Sequence, residues 1–424
     1  MNNNNEEQIR LRGQLADSTY KDLELEFKIV SLDKIAPAID SLKLEGEING
    51  NLHILQKDNV YLPTCSLDVT DFGLNNIPLG RLTVGIFGNR DLTDFRVNSQ
   101  ITDNGEEKLS LIGNISNKGK IPKIDVMANF TNFGLEPFSP LGEGVISDIR
   151  GNINGNARIK GDLNTPEFNG LLFLTDAGMG IPYLNVNYDF APNSRVRLDK
   201  QTFDFEDIQL TDVVENTTAV IDGTIKHKDF GDWRLDLDVD TNEERFLILN
   251  TSFDEDELYY GSGFLKGTGQ IFGPTTALTI KVEGETAEGT ALSIPISDVA
   301  TTGDYSFINF REKGSVTVVE DERVLNDVQG LELFMDLAIT PDAEVAIVID
   351  QKTGSSLKGT GEGLLLIEID TKSKFNMFGE FAVVTGEYNF KYGGVIDKKF
   401  NVKPGGKIIS VSYTHLTLPT ILLV

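Results

Sequence analysis

Apolar and polar residues alternate along this chain with a period of two, in one short run after another. Leu82, Val84 and Ile86 alternate with Arg81, Thr83 and Gly85, and Ile124, Val126, Ala128 and Phe130 with Asp125, Met127 and Asn129. Further on, Trp233, Leu235, Leu237 and Val239 interleave with Arg234, Asp236, Asp238 and Asp240. Leu278, Ile280 and Val282 interleave with Thr279 and Lys281. A period of two sends one residue set to each face of a sheet, so each run predicts a strand with one apolar face. Gly, Asn, Asp and Pro separate the runs, as turns between short strands require. No long, capped amphipathic helix is legible, and Asp33 to Leu42 is expected to form a turn or two at most.

Whole phrases recur. Gly46-Glu-Ile-Asn-Gly-Asn51 returns 105 residues later as Gly151-Asn-Ile-Asn-Gly-Asn156. Thr70-Asp-Phe-Gly-Leu74 returns at the same spacing as Thr175-Asp-Ala-Gly-Met179, and again in Thr131-Asn-Phe-Gly-Leu135. Ile-Pro pairs follow at Ile77-Pro78, Ile181-Pro182 and Ile294-Pro295. The last belongs to a third copy that begins at Gly267-Thr-Gly-Gln-Ile-Phe-Gly273. A weaker echo links Leu265-Lys-Gly-Thr-Gly269 to Leu357-Lys-Gly-Thr-Gly361. Glycines at alternate positions strip one face of side chains, which suits tight bends or close backbone approach. The unit is long and degenerate, so it predicts one continuous, irregularly repeated sheet instead of independent beads.

An apolar sheet face must be covered. A sandwich or a barrel covers it with protein; a rolled, trough-like sheet leaves it facing a groove. About thirty strands at roughly 4.8 Å spacing would make a sheet on the order of 140 Å long. An apolar trough of that length exceeds the patch a soluble monomer exposes, so it needs an apolar cargo or a partner.

Composition narrows the classes. The chain has 424 residues, a formal net charge of -27, one cysteine, three histidines and one tryptophan. Such acidity repels phosphate backbones and sets nucleic acid aside. The charge is spread out, as on a solvated outer face. A single cysteine, Cys65, forms no internal disulfide and does not indicate the compartment. No apolar stretch reaches 18 residues, so none spans a bilayer as a helix. The polar start, Met1-Asn-Asn-Asn-Asn-Glu-Glu, has no apolar signal region, which fits a cytoplasmic protein or a fragment. The end differs in character. VSYTHLTLPT matches one translated reading frame of a transposon adapter used in sequencing libraries, so residues 411–424 are expected to be a non-native tail.

No chemistry-bearing constellation emerges, so neither an enzyme nor a metal or cofactor site is expected. Gly354-Ser-Ser-Leu-Lys-Gly359-Thr360 lacks the Lys-Ser/Thr pair of a phosphate loop and sits among strands. Asp238-Val-Asp240-Thr-Asn242 starts like a calcium loop, but Glu243 stands where Gly is needed and Leu249 where Glu is needed. Asp254-Glu-Asp-Glu257 reads as an exposed acidic turn. His53, His227 and His415 lie far apart, and no cysteine or second histidine stands at zinc-ligand spacing. Cys65 has no nearby histidine and reads as a small buried residue. Carboxylates are too common here for a pair to mark a glycosidase.

From about Ser139 to Ile409 the chain resembles the TamB C-terminal domain family of the translocation and assembly module. The phrases that carry this, in order, are Ser147-Asp-Ile-Arg-Gly151, Gly161-Asp-Leu-Asn-Thr-Pro-Glu-Phe-Asn-Gly170, Asp222-Gly-Thr-Ile-Lys-His-Lys-Asp-Phe230 and Phe246-Leu-Ile-Leu-Asn250. Met335-Asp-Leu-Ala-Ile-Thr-Pro-Asp-Ala343 with Val345-Ala-Ile-Val-Ile-Asp350 is the most specific. Gly359-Thr-Gly-Glu-Gly363, Phe378-Gly379, Gly386-Glu-Tyr388 and Phe400 through Gly405-Gly406 complete the series.

The resemblance implies an all-β, elongated, mostly antiparallel sheet, rolled into a taco-like groove with an apolar interior. It implies upstream groove repeats over 1–138, the family-like groove over 139–410 and the extraneous tail over 411–424. It further implies a periplasm-spanning protein, anchored in the inner membrane by a helix that this chain lacks. Its partner would be an outer-membrane assembly barrel of the TamA type, engaged through a C-terminal segment also lacking here. The cargo would be phospholipid acyl chains moving toward the outer membrane of a diderm bacterium; an older reading assigns assistance to outer-membrane proteins, including autotransporters. The expected groove lining is Leu235, Leu237, Val239, Leu278, Ile280, Val282, Val345, Ile347, Ile349, Leu365, Ile367 and Ile369. The rival expectation is a structural, adhesin-like surface protein whose apolar core is sealed. Strands such as Leu364 to Ile367 are apolar on both sides, so the alternation does not say which face turns inward.

Overall fold

A computed structural model describes the chain apart from residues 1, 4–5, 17–18, 36–42, 58–59, 143–145, 229–230, 254–258, 296–329, 351–352, 371–374, 393–394, 411–415 and 418–424. One sheet takes up most of the described residues. Its first strands follow sequence order, each antiparallel to the last. They are Ile9–Leu15, Tyr20–Ser31, Leu44–Lys57, Val60–Leu74, Ile77–Gly88, Asp94–Asp103, Glu106–Ser116, Lys123–Gly134, Ser147–Asp162 and Thr165–Ile181.

From there on, long strands alternate with pairs of short ones set end to end. Thr165–Ile181 pairs with both Val186–Phe190 and Ser194–Lys200, and both pair in turn with Thr202–Asp212. Thr218–Lys228 follows, then Gly231–Asp240. Tyr260–Pro274 has Gly231–Asp240 and Phe246–Thr251 on one side, Thr279–Thr286 and Ala291–Pro295 on the other. Glu332–Ile339 and Glu344–Asp350 run parallel to those last two and antiparallel to Ser355–Asp370. Phe375–Tyr392 comes next, flanked by Ile396–Asn401 and Lys407–Ser410.

Each end-to-end pair closes a small ring within the ladder. No pairing among the described residues joins Ile9–Leu15 to the C-terminal strands, so these rings do not close the sheet as a whole. Two short strands share one rung, which corrects the expected length. The sheet has roughly twenty rungs and spans on the order of 90 Å instead of 140 Å. Leu32–Lys34 forms a single 3₁₀ turn where a turn was expected; residues 36–42 lie outside the described residues.

The repeated phrases mark where rungs bend. Asp71, Asn132 and Asp176, the second residues of the three Thr-Asp/Asn copies, have left-handed φ of 50°, 44° and 49°. The register slips beside Asp71 and Asn132. Such a bulge inserts an unpaired residue and folds the strand, and Asp and Asn tolerate this conformation best after Gly. The residue after each, Phe72, Phe133 and Ala177, is buried in the bend.

The glycine phrase clamps the bend from the next strand. Asn154 Oδ1 accepts from the backbone N–H of Asn132 at 2.8 Å, and Asn49 Oδ1 does the same for left-handed Ile29 at 3.0 Å. Asp222 Oδ2 repeats this for left-handed Asp207 at 3.2 Å. In each case the next residue is a glycine: Gly155, Gly50 or Gly223. A Cβ there would come within 2.3, 2.1 and 2.2 Å of the neighbouring carbonyl oxygens of Leu171, Ser66 and Asp236. The phrase therefore recurs because one bend-and-clamp unit recurs.

Candidate functional site

Register carries the inner face along the sheet. One row runs through Phe27, Gly50, Leu67, Val84, Ser99, Leu111, Ala128, Ala157, Gly170, Leu198, Phe203, Ile225, Leu235 and Gly273, each opposite the next. A second runs Leu237, Ile271, Ile280, Leu333, Ile369, and a third Val239, Gly269, Val282, Met335, Ile367, Met377. A fourth, on the other arm of the bent rungs, runs Ile294, Ile347, Leu357, Tyr388, Phe400. These rows hold no charged residue. The outer face holds the charge: Arg234, Asp236, Asp238 and Asp240 are exposed while Leu235 and Leu237 are buried.

Ion pairs link neighbouring outer positions, as in Arg158 to Asp125 at 2.7 Å and Arg81 to Asp68. The hydrogen bond from Arg158 holds the Asp125 carboxyl below its ordinary range. Both groups are largely in water, so the pair adds little stability.

The structure places the expected lining residues as follows. Leu235, Leu237 and Leu278 are buried in one large apolar cluster, with Val239 and Ile280 packed against it. Ile367 and Ile369 are buried in a second, with Ile280, Val282 and Leu365 against it. Val345, Ile347 and Leu365 line an open apolar cavity with Ile294, Leu357, Met377, Phe381 and Val383. Gly359, Gly379 and Gly386 also line it. At Gly359 and Gly379 a Cβ would lie 2.3 and 2.0 Å from the facing carbonyl oxygens of Thr385 and Leu364. Ile349 stands apart: the register slips between Val348 and Asp350 and passes it by. The doubly apolar strand resolves too. Leu364 is 67 % exposed and Leu366 is exposed on the outside, while Leu365, Ile367 and Ile369 turn inward.

Sequence reasoning missed a seam in one arm of the groove. Val186–Phe190 and Phe246–Thr251 lie side by side with no ladder between them. Side chains join them instead: Tyr188 donates its O–H to Leu247 O at 2.9 Å, and its ring stacks on Phe246 at 5.0 Å. Leu247 N donates to Thr217 Oγ1 at 2.9 Å, and Asn185 Nδ2 to Asn250 O at 2.5 Å. Asp212, the buried carboxylate among the described residues, holds the seam loop. It accepts from the N–H groups of Val214, Glu215 and Thr217 at 3.0, 2.7 and 2.6 Å, and from the Thr217 hydroxyl. Burial, and then the charge of Asp212, push the Tyr188 phenol well above its ordinary value. An Asp with Thr five residues on, before an apolar strand, is the signal that could have found it.

The remaining candidates do not assemble. His53 Nε2 lies 2.8 Å from Asp22 Oδ1. His227 is buried at another edge among Phe168, Phe203 and Trp233, with ring centroids 6.0, 5.5 and 4.9 Å away. Cys65 is half-buried and its thiol pKa is raised by burial, which disfavours the reactive thiolate. Asp240 caps the turn at Asn242 N at 2.7 Å. The acidic run at residues 254–257 lies outside the described residues. Among the described residues no group of acidic, histidine or cysteine side chains could hold a metal, and no helix is long and apolar enough to cross a membrane.

A single bent sheet with an uncharged inner face running across its rungs defines an elongated β-groove protein. The TamB C-terminal domain family matches residues 206–419, just over half of the 424 residues, so the chain belongs to that family. Membership of this family supports a TamB-like role in the translocation and assembly module. The match starts after the phrases at 147–151 and 161–170 and reaches over residues 411–419 of the terminal stretch. No curated protein and no solved structure matches the chain.

Proposed function

We propose that this chain is a lipid-conducting segment of a periplasm-spanning groove, which moves phospholipids toward the outer membrane of a diderm bacterium. The observation that carries this reading is the succession of uncharged inner rows, ending in an apolar cavity. Transfer along it needs no catalytic group. Acyl chains entering the rows gain about 0.8 kcal/mol per buried CH₂. Neighbouring rungs offer similar surfaces, so the gain is nearly the same from one rung to the next and the barrier to sliding is low. Leu235, Leu237, Val239, Leu278, Ile280, Val282, Val345, Ile347, Leu365, Ile367 and Ile369 are the proposed lining, with Ile349 at its margin because of the register slip.

In the intact protein the segment would be anchored in the inner membrane and would act with an outer-membrane barrel of the TamA type. Assistance to outer-membrane protein assembly is compatible with the same surface. The division at 138/139 and at 410/411 remains part of the proposal. The sheet itself runs on across residues 123–162. Tight burial around Leu247 and Leu278 favours the rival reading, a scaffold sealed there by its own side chains.

Mass spectrometry of the gently purified chain separates the two. The groove predicts co-purifying phospholipid, lost in Ile347→Asp and Ile280→Arg variants that keep their β circular dichroism. No lipid on the wild-type chain, or the same lipid on both variants, would leave the sealed scaffold standing.

A further inference from the structure

The acidity of the chain reverses toward the C-terminal end of the sheet. Residues 387–407 carry five lysines against Glu387 and Asp397, a net charge of +3 in a chain of -27. Lys399 and Lys407 are paired with Glu387 and Glu380. Among the described residues Lys391, Lys398 and Lys403 form no ion pair. Lys398 and Lys403 are exposed.

The same hairpin brings the apolar inner face out into water. Tyr388 opposes Phe400, Phe390 opposes Lys398 and Tyr392 opposes Ile396, so these residues share one face. Their rings form a ladder: Tyr388 stacks on Phe400 at 6.2 Å, and Phe390 on Tyr392 at 6.4 Å. The ladder starts at the cavity, where Leu357 opposes Tyr388. It ends at Tyr392, which is 67 % exposed, beside Val395, 90 % exposed.

Exposed Tyr392, Val395 and Ile396 with Lys391 and Lys398 next to them suit one environment, the headgroup layer of an anionic membrane. There rings sit between polar and apolar zones, and lysines reach to the phosphates. We propose that the hairpin Phe375–Tyr392 to Ile396–Asn401 docks by its tip, Tyr392, Val395 and Ile396, onto an anionic phospholipid surface, with Lys391 and Lys398, the unpaired lysines next to the tip, contacting headgroups. The rings then form a ramp between that surface and the cavity, with Lys398 on the same face opposite Phe390. The proposal rests on the lipid-groove reading for the ramp's purpose; the docking itself is tested apart from it.

The test is co-sedimentation of the full chain with vesicles of phosphatidylcholine, alone or partly replaced by phosphatidylglycerol, at low salt. The wild-type chain sediments with the anionic vesicles and is released by salt. The double variant Lys391→Ala/Lys398→Ala weakens that binding about 30-fold. Tyr392→Ser/Val395→Asp abolishes it. Ile347→Asp, deep in the groove, sediments as wild type even where it has lost its own lipid, which keeps the two proposals distinguishable. Retained β circular dichroism and Trp233 emission verify that each variant is folded. Wild-type chain that ignores anionic vesicles, or tip variants that sediment unchanged, would overturn the proposal and leave the tip to a protein partner. Loss of binding in Ile347→Asp alone would assign the contact to the groove.

Discussion

Gly155→Ala should locally loosen the sheet, and the structure sets the size of the effect. Gly155 has φ +131° and stands between Phe130 and Leu172 on the flanking strands. Its added Cβ would lie 2.3 Å from Leu171 O and 3.2 Å from Leu172 Cα. The obstructing atoms are backbone and are held by the ladder, so no rotamer change relieves them. The disfavoured φ costs about 1–3 kcal/mol, and forcing the strands apart about 1–3 kcal/mol more. We expect about 4 kcal/mol in all. Gly105→Ala is the control. Gly105 also has positive φ, +84°, but nothing lies within 4 Å of its Cβ position. It should cost about 1–2 kcal/mol, the backbone part alone.

In a stack where each rung touches mainly its neighbours, the damage stays local. Hydrogen exchange read peptide by peptide is therefore the fitting assay. Ladder amides of Ser147–Asp162 and Thr165–Ile181 should lose roughly three decades of protection in Gly155→Ala. In Gly105→Ala the loss around residues 94–116 should be about one decade. Equal losses in the two variants would refute the claim that the repeated glycines exist to let backbones meet.

Two further outcomes follow from the clamp and the seam. Asn154→Ala removes the acceptor for Asn132 N and should cost about 1 kcal/mol locally, while Asn154→Asp, which copies Asp222, should restore most of it by the same exchange assay. Tyr188→Phe leaves the Leu247 carbonyl without its phenol donor and should cost about 1–3 kcal/mol in urea unfolding near neutral pH. The Tyr188 pKa is raised in the folded state, so its contribution is intact below the ordinary phenol value near 10 and is lost as pH climbs above it. Tyr188→Phe should thus show a flatter fall in stability above about pH 10 than wild type; an identical alkaline slope would contradict the seam assignment.

The alternation in the sequence was enough to place the faces where one face is polar. Trp233 to Asp240 reads directly as Leu235 and Leu237 in, Arg234, Asp236, Asp238 and Asp240 out. It was not enough at Leu364 to Ile367, where only pairing with Glu332–Ile339 shows that Leu365 and Ile367 turn inward. The repeats could be found as words, and the left-handed preference of Asp and Asn hints at a bend. The clamp could not be found, because Asn154 and Asn132 meet only through the register of two strands. The rung count was overestimated for a similar reason. Val186–Phe190 and Ser194–Lys200 look like two rungs in the sequence and form one in space. The inward-facing register of the proposed lining positions is legible by period except at Ile349, since a bulge leaves no mark on hydrophobic spacing. Nothing in composition or spacing separates an open groove from a sealed core, which differ only in what covers the same side chains.

A photo-crosslinking amino acid placed in turn at Leu365 and at Leu364 tests the groove most directly. The two neighbours point to opposite faces of the same strand, Leu365 into the cavity and Leu364 into solvent. In cells carrying the otherwise intact protein, the account predicts a phospholipid adduct at Leu365 and none at Leu364. Adducts at both positions, or at Leu364 alone, would contradict it.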